Sequence, residues 1–142
     1  MANVVPYSFG TELFSGTHNF SSGGNTFKLA LYTSNPYNTS STVYVTTNEQ
    51  SSSGGSNYTA GGNALTGNAV VSTGAVATCD FADTTWTSAT ITAAFGTIYN
   101  DDKSDKVCVV LDFGGSKTCT NGTFKISFPD PSTPGDAIIS MA

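Results

Sequence analysis

In the second half of this chain apolar residues fall on every other position, and that spacing commits the chain to extended structure. Between Thr90 and Tyr99 the run Thr-Ile-Thr-Ala-Ala-Phe-Gly-Thr-Ile-Tyr places Ile91, Ala93, Phe95, Thr97 and Tyr99 on one face of a strand. Val107, Val109, Leu111 and Phe113 repeat the pattern beyond the polar loop Asn100 to Lys106, and Phe124, Ile126 and Phe128 repeat it again. Nearer the N-terminus, Phe27, Leu29 and Leu31 alternate with Lys28, Ala30 and Tyr32 until Asn35-Pro36 ends the run. The repeat of two residues is that of a strand with one buried face, not the 3.6-residue repeat of a helix.

Weaker signals fill the rest. Val43 to Thr46 is a short β-branched run, and Leu65, Val70, Val71 and Val76 to Phe81 mark further strands, with Gly67 and Gly74 as turns or bulges. Gly114-Gly115 and Asn121-Gly122 read as turns that separate successive strands. A bend at Pro129, Pro131 and Pro134 precedes a short apolar strand from Ala137 to Met141. Ser8 to Phe14 has room for one or two helical turns, with Gly16 as a stop. The expected fold is all-β: an antiparallel β-sandwich or jelly-roll with a short N-terminal segment able to form a helix. We expect one domain over residues 1–142, with residues 1–22 as an N-terminal arm or short helix and residues 49–62 as a flexible surface loop rich in Ser, Gly and Asn.

Charge narrows the function. The chain has no arginine, only 11% charged residues and a formal net charge of -5, so it repels phosphate backbones and lacks the best bidentate phosphate ligand. Nucleic acid is excluded as a direct partner. No run reaches the length of a membrane span, and no basic segment leads into an apolar one as in an export signal, so no membrane partner is expected. Cys79, Cys108 and Cys119 are odd in number and lack metal-binding spacing, which favours reduced thiols.

Catalytic groups are scarce. His18 is the sole histidine and has no neighbouring nucleophile in a recognisable elbow, so a surface or capping role is expected. Gly114-Gly115-Ser116-Lys117 lacks the closing glycine of a nucleophile elbow. Asp101, Asp102 and Asp105 could offer oxygen ligands to calcium, but they lack EF-hand spacing and share their loop with Lys103 and Lys106, which favours a solvated loop. Glu12 and Glu49, the two glutamates, show no paired-carboxylate setting. No enzyme activity, cofactor or metal is expected. Trp86 at a strand start fits core burial better than an exposed anchor, although an exposed Trp86, or Tyr58 in the 49–62 loop, would suit a glycan or partner contact.

Several short motifs occur in a fixed order: Phe27-Lys28-Leu29-Ala30-Leu31-Tyr32-Thr33-Ser34, Asn57-Tyr58-Thr59-Ala60-Gly61-Gly62, Asp83-Thr84-Thr85-Trp86-Thr87, Ile98-Tyr99-Asn100-Asp101, Leu111-Asp112-Phe113-Gly114 and Asn121-Gly122-Thr123-Phe124. In this order, from about Phe9 to the C-terminus, the chain resembles a group of small virion proteins encoded among the structural genes of tailed bacteriophages and prophages. That resemblance implies a particle component. It leads us to expect a capsid decoration, or cement, protein on the outer head surface, made in the host bacterial cytoplasm. Its partners would be the major capsid protein and further copies of itself, as a dimer or trimer. Tyr7, Phe9, Leu13 and Phe14 are the expected contact residues, because apolar patches on small domains mark interfaces. The alternative is a tail or fibre component that recognises host polysaccharide through the 49–62 loop and Tyr32, Tyr37, Tyr44 and Tyr58.

Overall fold

The computed structural model describes residues 3–133 and 136–141. One helix, α1 (Tyr7–Phe14), precedes seven strands: β1 (Phe27–Tyr32), β2 (Asn63–Ala64), β3 (Ala69–Thr73), β4 (Val76–Asp80), β5 (Thr84–Asn100), β6 (Lys106–Ile126) and β7 (Ile139–Met141). They form two antiparallel sheets, ordered β2-β1-β5-β6 and β3-β4-β7. Phe27, Leu29 and Ile91 of the larger sheet share a core with Cys79 and Ile139 of the smaller one, so the fold is a β-sandwich. Burial of these apolar side chains between the sheets is the main driving force for the arrangement.

Strand lengths differ from the sequence reading. β5 and β6 run for 17 and 21 residues and form one long hairpin. Phe95 pairs with Asp112 while Ala93 pairs with Lys117, so residues 113–116 bulge outward instead of reversing the chain. Gly114 and Gly115 permit this with φ of 73° and 127°. Nor does the chain turn at Asn121-Gly122, where Gly122 stays paired with Ala89. Phe124 and Ile126 therefore belong to β6, and Phe128 lies just beyond it. Val43 makes a single bridge to Lys106, and no strand forms from Val43 to Thr46. Pro134 lies outside the described residues.

The expected single face from Ile91 to Tyr99 is also split. The offset between Ala93 and Phe95 sends Ile91 and Ala93 into the core between the sheets, whereas Phe95 and Tyr99 join a second cluster with Tyr32, Tyr37 and Val107. A second offset lies where Ile98 pairs with Val109 but Tyr99 pairs with Val107. Cys108, opposite no partner, and Val109 both enter the first core, while Val107 and Val110 enter the second. One extra residue exchanges the faces of everything after it.

The second cluster is covered by the connection between β1 and β2. Much of its 49–62 portion is exposed, but Ser56 and Tyr58 are buried, and the stretch is tied down. Gln50 N–H donates to Leu31 O at 2.8 Å, Thr90 N–H to Ser56 O at 3.0 Å, and Thr92 N–H to the Gln50 side-chain oxygen at 3.0 Å. This loop follows β1 and β5 as an irregular extra layer.

Its return is set by Gly62, where φ is 77° and an added Cβ would lie 1.8 Å from Leu29 O. At Gly74, φ is 62° but the surroundings are open. Gly74→Ala should therefore cost only the left-handed backbone penalty, about 1–2 kcal/mol. Gly62→Ala should cost more than that, because backbone must also move, and chemical denaturation of the two variants checks the ranking.

Candidate functional site

Each of the two glutamates anchors a polar hub. Glu12, on the inner face of α1, accepts from His18 Nε2 at 2.8 Å and from Lys106 Nζ at 3.0 Å. Asn100 Nδ2 lies 3.0 Å from His18 Nδ1 and also donates to Asn25 Oδ1, while Asn100 Oδ1 accepts from Asp102 N–H. With its amide so oriented, Asn100 donates to Nδ1, which leaves the imidazole proton on Nε2, facing Glu12. The His18 side chain is fully buried between Phe9, Phe20 and Phe27, which corrects the expected surface role. Sequence could not reveal this, because Asn100 and Lys106 come from the far end of the chain.

Cys108 Sγ lies 3.8 Å from His18 Nδ1, so thiol, imidazole and carboxylate stand in the order of a nucleophilic triad. The environment opposes that chemistry. Cys108 is wholly buried, the Nδ1 lone pair already accepts from Asn100, and burial pushes the thiol well above its ordinary value. The hub instead fastens α1 to β5 and β6. Burial alone would raise the Glu12 carboxyl, but hydrogen bonds from His18 and Lys106 outweigh it and hold the group below its ordinary value.

Glu49 serves the opposite flank. Tyr58 OH and Gly61 N–H both donate to its Oε1 at 2.7 Å, and Tyr44 OH donates to Oε2 at 2.6 Å. Leu31 N–H donates to Tyr58 Oη, Tyr99 OH donates to Gly61 O, and the Tyr44 and Tyr99 rings stack at 4.7 Å. Tyr32 and Tyr37 hydroxyls meet at 2.7 Å nearby. Five of the chain's six tyrosines thus hold the β1–β2 connection onto the sandwich. Tyr58 is 3% and Trp86 4% exposed, so neither presents a ring to a ligand.

The acidic loop is likewise committed: Asp101 pairs with Lys28 at 3.0 Å, and Asp102 accepts from Thr26 N–H at 2.6 Å. Among the described residues no His, Cys, Asp and Glu side chains gather as a metal site, and the three cysteines are unpaired.

No family model, curated protein or solved structure matches this chain. The surface must be read from its own chemistry.

Apolar exposure is concentrated on and near α1. Phe9 and Leu13, four residues apart, face the core with Glu12, whereas Tyr7 and Phe14 point outward at 75% and 88% exposure. The expected contact group therefore divides: Tyr7 and Phe14 remain available, and Phe9 and Leu13 hold the helix in place. Val5, Val43, Val70 and Met141 are the other large apolar side chains exposed among the described residues. Val70 and Met141 border a 270 Å³ groove between α1 and the smaller sheet, which sequence reasoning missed. A larger cleft of 570 Å³ runs beside β6, floored by Phe113, Phe124 and Phe128 and rimmed by Lys117 and Asp136.

Glu49→Ala should destabilise the fold by roughly 2–4 kcal/mol, since it strands two tyrosine hydroxyls and an amide. Faster proteolysis within residues 49–62 should accompany the loss in denaturation experiments. Glu12 gives a pH test. Because its folded-state carboxyl is lowered, its stabilisation is present above the ordinary value of 4.5 and is lost as pH falls through the folded value. Stability measured against pH below about 4.5 should fall less steeply in Glu12→Gln than in the parent.

Proposed function

We propose that this chain is a non-enzymatic virion component, a decoration protein that binds the major capsid protein on the outer head surface and reinforces contacts between capsid subunits. The observation that carries this reading is the apolar outer face of α1, where Tyr7 and Phe14 stand exposed while most other aromatics are buried. Exposed apolar side chains clustered on a small domain favour a protein partner. Other features agree with a clamp that needs no reactive group. The polar clusters are consumed in fastening α1 and the β1–β2 connection, and a formal charge of -5 keeps the domain off packaged DNA. The alternative, a tail or fibre part that binds polysaccharide, loses support. Its aromatics Tyr32, Tyr37, Tyr58 and Trp86 are buried, and Tyr44 stacks on Tyr99.

Two measurements test the proposal. Quantitative mass spectrometry of purified particles should give a copy number near that of the major capsid protein or a simple fraction of it. A handful of copies would move the chain to the tail, and absence would end the virion reading. Tyr7→Ser should weaken binding to purified heads by about tenfold or more, as for an anchor aromatic, with little change in melting temperature.

A further inference from the structure

We infer that Asn121 is a self-modification site, where the chain closes a succinimide ring that water then opens to aspartate or isoaspartate. Such closure needs an asparagine side chain that is free to move and a following residue that does not crowd the ring. Most asparagines here are held, as Asn57 is by Thr87 and Asn63 by Thr84 and Thr85. Among the described residues only Asn48 and Asn121 have side chains without a hydrogen bond, and Asn48 precedes Glu49, whose side chain is fixed by three donors. Asn121 is exposed and precedes Gly122, in the one Asn-Gly pair of the sequence.

The backbone there is already irregular. Gly122 faces Ala89 and Cys119 faces Ile91, so Thr120 and Asn121 together stand against the single residue Thr90. Asn121 has φ of 46°, in the left-handed region that a residue with a Cβ occupies at a cost. Its backbone N–H donates to Thr90 Oγ1 at 3.0 Å, which holds the bulge while the side chain stays free. In the reaction the Gly122 backbone nitrogen gives its proton to hydroxide and attacks Asn121 Cγ, a closure favoured because both groups belong to one short stretch of chain. The N–Cγ bond forms, the Cγ–Nδ2 bond breaks, and the amide nitrogen takes a proton from water and leaves as ammonia. Water then adds to either ring carbonyl, giving aspartate or isoaspartate with no change of oxidation state. Both products add a negative charge to the edge of β6. Isoaspartate also inserts a methylene into the main chain before Gly122, so the pairs Gly122 with Ala89 and Phe124 with Trp86 lose their register.

The test holds the purified full chain, folded, in mildly alkaline buffer, cleaves it at Lys117 and Lys125, and follows the peptide between them by mass spectrometry. That peptide should gain the mass difference between a hydroxyl and an amino group and separate into two forms, one of which isoaspartyl methyltransferase labels. Conversion should quicken as pH rises, because the attacking nitrogen must lose its proton. Gly122→Ala is the control. Gly122 lies outside the left-handed region, and an added Cβ would meet Thr120 O at 3.6 Å and Cys119 Cβ at 4.0 Å, which are ordinary contacts. This variant should melt no lower than the parent yet convert severalfold more slowly, because its methyl group crowds the ring. The aged parent should melt a few degrees below the fresh chain as ladder hydrogen bonds beside Gly122 are lost, and aged Gly122→Ala should not. An Asn121 peptide that stays unchanged in the folded chain, under conditions that convert the unfolded chain, overturns the inference. So does a Gly122→Ala chain that converts as fast as the parent, or conversion that begins at another asparagine.

Discussion

Four offsets in the pairing of β5 with β6 decide which side chains meet across the sandwich. A long hairpin with regular alternation would bury one face and leave the other wet. Here the offset after Ala93 and the one beside Cys108 exchange the faces, so the hairpin serves two apolar clusters on opposite sides of the larger sheet. The first is closed by β3, β4 and β7. The second has no sheet to cover it, and that need explains the long connection between β1 and β2, which lies over Tyr32, Tyr99 and Val110 in place of a third layer.

Scarcity of charge shapes how the additions are attached. α1 has eight residues, too few to be stable alone in water, and it persists because Phe9 is buried, Leu13 packs half-buried against the core and Glu12 reaches Lys106 and His18. The β1–β2 connection carries little apolar surface and is held by tyrosine hydroxyls converging on Glu49. Both hubs pair each carboxylate oxygen with a donor, which keeps a partly buried charge tolerable.

The all-β class, the helix at Tyr7–Phe14 and the closing strand were legible in the sequence, because each depends on local period or on a stop residue such as Gly16. Facing was not. Alternation predicts which side chains point together only while the register is unbroken, and nothing in Ala93-Ala94-Phe95 announces a bulge. Gly114-Gly115 misled for a related reason: paired glycines serve a wide bulge as readily as a reversal, and the choice depends on whether the chain beyond still has a partner, here Ala93 with Lys117. The hubs were invisible, since Glu12 meets Lys106 and Glu49 meets Tyr58 only after folding. Of the expected contact residues, helical period separates Tyr7 and Phe14 from Phe9 and Leu13 once the helix is granted.

β6 is an edge strand, and its outer side is only partly closed. Val4 exchanges two backbone hydrogen bonds with Val110, and Thr42 O accepts from Val107 N–H, so the first residues of the strand are sealed. Among the described residues, 113–126 make no strand pairing on that side. A straight edge of that length would invite strand after strand to add, the route by which crowded β proteins turn into fibres. The glycine bulge at 113–116 and the lysines Lys117 and Lys125 break it into short, charged pieces. The irregularity that divides the core thus also acts as insulation, denying another strand a continuous edge on which to add.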